Sequence, residues 1–133
     1  TNLSGMDLRP FTFTNADFGH AILSKSKLAD SLLVDNNFDY AILQNINFAG
    51  KDLSGSSFQQ VNLEGSDMQN TNLRDSAFIQ VDFTKIKNKS LAGADLSYAA
   101  FSYSNLSGVD LSGTFLNNNL FFKVDLSGLD FTT

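Results

Sequence analysis

"LAGADLSYAAFSYSNLSGVDLSG", residues 91–113, places a large apolar residue at Leu91, Leu96, Phe101, Leu106 and Leu111, five apart each time. An α-helix repeats at about 3.6 residues and a strand at about 2, so neither carries this pattern along its length. Outward from this stretch, such centres recur every five residues from Leu3 to Phe83, giving 17, and from Leu91 to Phe131, giving nine more. All 26 are apolar: 15 Leu, 10 Phe and Met68.

The flanking slots are as regular as the centres. Two residues before the centre, 18 of 26 positions hold Ala, Ser, Thr or Val, and immediately before it 15 of 26 hold Asp or Asn. Two residues after the centre stand eight of the nine glycines, with Asn15, Asn45, Asn70 and Asn118 in the same slot. A centre that is always apolar points inward, and strand alternation points the small residue two back inward beside it. The Gly and Asn slot requires φ > 0, as at the third residue of a type II turn. One extended piece and one tight corner every five residues make a coil of flat sides and sharp bends. Such a coil must stack on copies of itself to bury its centres and pair its backbone.

Taking every fourth centre gives Phe18, Phe38, Phe58, Phe78, Phe101 and Phe121, a column wholly of Phe, whereas the column from Leu3 is Leu except for Phe83. A 20-residue superperiod predicts four sides per coil, with these six rings as a structural core ladder. The step from 78 to 101 is 23, so three residues are inserted without loss of register. They fall in "TKIKNKS", residues 84–90, a short loop insertion carrying Lys85, Lys87 and Lys89.

"AGADLSYAAF", "VDLSG" and "TNLRDSAF" resemble the A(D/N)LXX motif of pentapeptide repeat proteins, and the resemblance covers essentially the whole chain. It implies an all-β fold, a right-handed quadrilateral parallel β-helix in which each five-residue unit forms one side. The handedness comes from the resemblance alone. About 6.5 coils at ~4.8 Å each give a rod roughly 31 Å long, read as a single domain over residues 1–133.

Several residues depart from the small-residue slot. Met6, Phe11 and Leu129 are expected to tilt over the open ends of the core, and Ile46 to be accommodated mid-rod. Lys51 would carry a charge inward, and a local bulge that lets its stem snorkel out is the expectation. Asn36 and Asn119, in the Phe column, are expected to hydrogen-bond backbone corners.

With 133 residues, no cysteine and net charge −5, the chain excludes disulfide and thiolate chemistry and argues against direct nucleic-acid binding. No apolar stretch approaches the ~20 residues of a membrane span. A cytoplasmic location is favoured, with a secreted effector as the alternative. The start at Thr1 and the lack of capping elements suggest a processed or excised piece whose ends abut another domain or subunit.

An enzyme is not expected. The sole histidine, His20, falls in a corner slot, and nine of the 14 acids sit just before a centre, where turn hydrogen bonding accounts for them. No catalytic, metal or cofactor site is assigned. The leading reading is a non-enzymatic interaction or scaffold module, a rigid rod for an unknown protein partner, self-association into a dimer included. Its candidate interface is Tyr98, Tyr103, Phe115, Leu120 and Phe122; Ile22, Leu32 and Ile42 are further outward apolars, less clustered. The lysine loop is a candidate contact. One alternative, carried by the resemblance, is a DNA-mimicking binder of the type II topoisomerases DNA gyrase and topoisomerase IV, of the quinolone-resistance type. Duplex DNA would present about 18 charges over ~31 Å, against a net −5 here. Another alternative is a targeting or spacer domain of a larger bacterial effector or multidomain protein.

Overall fold

The computed structural model describes residues 1–28 and 33–131. Its backbone pairs with itself at the 20-residue interval. Parallel bridges join Asn2 to Ile22, Asp17 to Asn37, Ile42 to Asn62 and Asn47 to Asp67. Within a side, Phe18 N–H donates to the Asn37 carbonyl (2.7 Å), while Asn37 N–H donates back to the Ala16 carbonyl (2.9 Å). A side of five residues is too short to fold back on itself, so beyond the bonds that close its corners each coil satisfies its amides through the coils above and below.

Four of these sides are long enough to count as strands. They are β1 (Ser57–Gln59), β2 (Ala77–Ile79), β3 (Ala100–Ser102) and β4 (Leu120–Phe122), forming one parallel sheet in the order β1-β2-β3-β4. Their register aligns Phe58 with Phe78, Phe78 with Phe101 and Phe101 with Phe121. Extended by Phe18 and Phe38, these rings lie in one file, with centroids 5.3, 5.3, 4.9, 5.0 and 5.2 Å apart and ring planes within 16° of parallel. The spacing is that of the coils, and each ring covers the face of the next.

The corners follow from the slot two after each centre. Positive φ values run from 50° at Gln60 to 73° at Gly93, and the corner is closed by bonds such as Ala21 N–H to the Phe18 carbonyl (2.9 Å). Polar and even aromatic residues accept this conformation, as at Asn45 (φ 56°) and Tyr98 (φ 62°). Gly93 has an added reason to be glycine, because a Cβ there would run into the Asn70 side-chain oxygen one coil below.

Inside, the slot two before each centre does more than fill space. The Ser56, Thr71 and Ser76 hydroxyls donate to the Leu33, Phe48 and Leu53 carbonyls (3.3, 3.0 and 3.2 Å), and the Ser66 hydroxyl donates to the Leu43 carbonyl. Asn36 is buried and plays the same part on both faces of its amide, donating to the Phe13 carbonyl (3.1 Å) and accepting from Ala16 N–H (2.8 Å). Asn119 donates to the Leu96 and Ala99 carbonyls. Ile46 is buried without disturbing the ladder. Met6 and Phe11 remain about half exposed, while Leu129 packs against the core.

Two details differ from the sequence reading. Lys51 makes no bulge: its backbone keeps the regular bonds, N–H to the Phe48 carbonyl and carbonyl to Asn72 N–H, yet the residue is buried. The side chain stays within the wall of the coil instead of escaping. In the insertion, two 3₁₀ turns, Phe83–Lys85 and Lys87–Lys89, flank Ile86, which is only 3% exposed. The extra loop is thus pinned by an apolar side chain of its own, and Phe78 still meets Phe101.

The file of rings generates a direct test. Phe58→Asp removes a fully buried ring and buries a charge between Phe38 and Phe78, which should cost about 4 kcal/mol or more. Loss of the cooperative melt seen by circular dichroism is the expected result; a folded variant with unchanged Tm would contradict it.

Candidate interaction surface

The sheet β1–β4 has an inner face of phenylalanines and an outer face made by two rows. One row reads Ser57, Ala77, Ala100, Leu120 and the other Gln59, Ile79, Ser102, Phe122. The outer face is polar at β1 and turns apolar towards β4. Ile79, Leu120 and Phe122 are exposed, Leu120 at 71% the most of all the large apolar side chains described. Lys123 brings a cation to the corner after β4, and the corner before β2 carries the Arg74–Asp75 ion pair (3.5 Å).

The five candidate interface residues are all at the surface, but the structure groups them unequally. Leu120 and Phe122 share β4, and Tyr103 meets Phe122 edge to face with centroids 5.4 Å apart. Lys123 lies over both rings, 5.3 and 5.4 Å from their centroids. Tyr98, at the neighbouring corner, is covered by the Arg74 guanidinium at 4.5 Å. Phe115 stands on the adjoining side, paired with Asp95, and among the described residues makes none of these ring contacts. Ile79, Ala77 and Ala100 join the patch from strands below. They are outward slots in the Phe column, and stacking the sequence by 20 with the three inserted residues closed up would have shown Ala100 and Ala77 beneath Leu120, and Ile79 two coils beneath Phe122. Ile22 and Ile42 bridge to each other and are half-buried, and Leu32 lies outside the described residues.

The other candidates separate in space. Lys85, Lys87 and Lys89 are exposed on the loop, where Lys87 is paired with Asp67 at 2.9 Å. His20 is exposed at its corner, stacked on Tyr40 with centroids 4.8 Å apart. At the C-terminal end the shaft opens into an apolar cavity of about 270 Å³ bounded by inward residues including Leu111, Leu116 and Phe121, so that the last ring of the file is exposed while Phe38, Phe58, Phe78 and Phe101 are buried. Among the described residues no group of His, Cys, Asp or Glu is arranged to hold a metal ion, and no helix is long and apolar enough to cross a membrane.

The acids before the centres are turn-forming groups. Asp17, Asp52, Asp95 and Asp125 each accept from the backbone N–H two residues on, at 2.8 to 3.0 Å. Asn37, Asn62 and Asn105 do the same with neutral side chains, so the slot selects an acceptor of this shape, charged or not. Asp7 adds an ion pair with Arg9, whose side-chain and backbone bonds hold its pKa at about 2 instead of 3.8. The backbone N–H and hydroxyl of Ser112 lower Asp110, and those of Ser127 lower Asp125.

Four-sided stacking, inward centres and corner residues of positive φ define the class: a quadrilateral solenoid of five-residue sides. The model of the Pentapeptide repeats family matches residues 12–50, 47–84, 83–113 and 100–133, so the chain belongs to that family, whose β-helix is right-handed. Comparison with curated proteins returns no match. Among solved structures, the chain is similar to HetL, a pentapeptide repeat protein involved in heterocyst differentiation regulation in the cyanobacterium Nostoc sp. strain PCC 7120. Identity is 23% over 90% of this chain and 59% of that one, with a TM-score of 0.34. A pentapeptide repeat protein of the Arabidopsis thaliana thylakoid lumen is also 23% identical, over 80% of this chain and 65% of that one, with a TM-score of 0.34. QnrB1, a plasmid-mediated fluoroquinolone resistance protein, is 17% identical over 97% of this chain and 85% of that one, with a TM-score of 0.46. The chain spans less than two thirds of the length of the first two, at 59% and 65%.

The turn carboxylates set an acid-side dependence. Folding lowers Asp7, Asp110 and Asp125 below their ordinary 3.8, so their stabilisation is fully present above that value and is lost as pH falls through the folded values, about 2 for Asp7. The urea midpoint should therefore drop between pH 4 and pH 2. Asp7→Asn, Asp110→Asn and Asp125→Asn together, which keep the turn acceptor, should flatten that drop; an unchanged slope would refute the assignment.

Proposed function

We propose that the chain is a non-enzymatic interaction module, one solenoid unit over residues 1–133, with the loop at 84–90 its insertion. Its working surface is the C-terminal part of the outer sheet face, and its partner is a protein of apolar, aromatic-binding character, another copy of this chain included. The observation that carries this reading is the change from polar to apolar along one sheet face. Ser57 and Gln59 give way to Ala77 and Ile79, and finally to Leu120 and Phe122 beside Tyr103.

The chemistry suits protein recognition. Exposed apolar patches rimmed by polar groups mark interaction sites, and aromatic side chains supply most of the anchoring energy in such interfaces. Here the rim consists of cations held over rings, Lys123 and Arg74, which stay in place while the rings present their other faces. The strands beneath are fixed by the ring file, so the patch is presented with little entropy left to lose on docking. Among the described residues, the cavity at the end of the shaft is lined by Leu and Phe alone, with no acid–base or nucleophilic group.

Phe115→Ser with Phe122→Ser tests the reading. Both side chains are more than half exposed, so stability should move by no more than about 0.5 kcal/mol. Self-association by light scattering, or partner retention, should fall by about 30-fold or more. Unchanged association removes the surface from consideration. A supercoiling assay addresses the topoisomerase alternative: DNA gyrase activity and its quinolone sensitivity should be unaffected. Inhibition or protection at sub-stoichiometric levels of the chain would replace the proposed reading with the DNA-mimicking one.

A further inference from the structure

The outer face of β2–β4 is uneven as well as apolar. Along the row before the centres, Ala100 and Ala77 lie below Leu120; along the row after them, Ser102 and Ile79 lie below Phe122. β4 therefore carries the two largest and most exposed side chains of the face, at 71% and 54%. β3 offers only an alanine and a serine, and β2 an alanine and an isoleucine. Neighbouring coils are ~4.8 Å apart, so a ridge one strand wide stands beside a recess two strands wide. The backbone beneath holds this profile in place, because each strand is bonded in register to the next over the ring file.

We propose that the occupant of this face is a second copy of the chain, docked with its rod reversed. The inference rests on the reading of the face given above and names its partner. A two-fold axis running along β3 turns the rod end for end and keeps each row opposite the same row. Leu120 of each copy then meets Ala77 of the other, and Phe122 meets Ile79. At the axis, Ala100 and Ser102 face their own counterparts. An isologous dimer needs a patch that is complementary to itself, and a ridge beside a recess on one face is such a patch. Packing with the rods in the same direction sets Leu120 against Phe122, tall on tall. That holds β2 and β3 apart from the other copy and forfeits their dispersion contacts.

The charges suit the reversed arrangement. Neither outward row of β2–β4 holds a charged side chain. The corner column beside the second row runs Gln80, Tyr103, Lys123. Reversal brings Lys123 of each copy opposite Gln80 of the other, an uncharged amide, and keeps the two Lys123 apart. The corner column beside the first row runs Asp75, Tyr98, Asn118. There Asp75 comes opposite Asn118, and Arg74 travels with its own counter-ion, Asp75 at 3.5 Å. Neither column sets like charges against each other, which would oppose docking. Three coils and their corner side chains offer a contact on the order of 400 Å² per copy, about half that of a standard stable interface. The dimer is accordingly weak, with a Kd on the order of 10⁻⁵ to 10⁻⁴ M. It is also closed, because the two-fold axis uses the same patch on both copies.

Sedimentation velocity from about 10 µM to about 1 mM should show a monomer–dimer equilibrium and no larger species. Ala77→Phe fills the recess while enlarging the apolar face. It should weaken dimerisation at least about tenfold without lowering Tm, whereas attraction by apolar area alone would strengthen it. The chain has no cysteine, so single-cysteine variants report the geometry directly. Ser102→Cys, at the axis, should cross-link to its own counterpart with a short bis-maleimide, and Ser57→Cys, two coils away, should not. The dimer is overturned by a chain that stays monomeric at about 1 mM, by Ala77→Phe dimerising as well as the native chain, or by equal cross-linking at the two cysteines. Should a monomeric chain still retain a different protein in a Phe122-dependent way, the dimer falls and the surface reading stands.

Discussion

A side of five residues cannot pair its own backbone, and everything else in this protein follows from that constraint. Apart from the bonds that close the corners, the backbone bonds, such as Phe18 N–H to Asn37 O and Asn37 N–H to Ala16 O, run between coils. Once coils must stack at about 4.8 Å, side chains at equal positions are forced into contact with their own kind. The Phe file, the hydroxyl-to-carbonyl bonds of Ser56 and Thr71, and the His20–Tyr40 stack are all products of that enforced repetition. Stability is accordingly a sum over neighbouring coils, as in other repeat proteins.

The same constraint explains what the sequence could and could not reveal. The five-residue period and the 20-residue superperiod identify the fold because they are one-dimensional patterns, and the parallel pairing of β1–β4 has the register they imply. The exceptions were opaque for a physical reason: each depends on which neighbours a coil brings beside a residue. Ile86 looked like part of a pattern-breaking loop, yet it is the apolar anchor of that loop. Lys51 looked like a lysine in need of a bulge, whereas the regular backbone keeps it in the wall.

The surfaces show this contrast most clearly. Leu120 and Phe122 stand out in the sequence because they are large and in outward slots, while Ala77, Ile79 and Ala100 matter only through their place below them. A surface pocket of about 320 Å³ lined by Arg9, Lys25, Lys27 and Lys51 is harder still to foresee. Arg9 follows a centre, Lys27 precedes one, Lys25 is at a corner and Lys51 occupies an inward slot. No spacing rule links four such positions. Only the wrapping of three coils collects them.

The insertion at 84–90 has a consequence for how this architecture can change. Two short turns leave the wall and return to it, Ile86 plugs the seam, and Phe78 still reaches Phe101 on the far side. Lengthening or shortening the chain elsewhere would rotate every later side chain off its column, but this seam has already absorbed three residues with no such cost. It is therefore the natural socket through which a lineage can graft new appendages onto a scaffold that otherwise forbids tinkering.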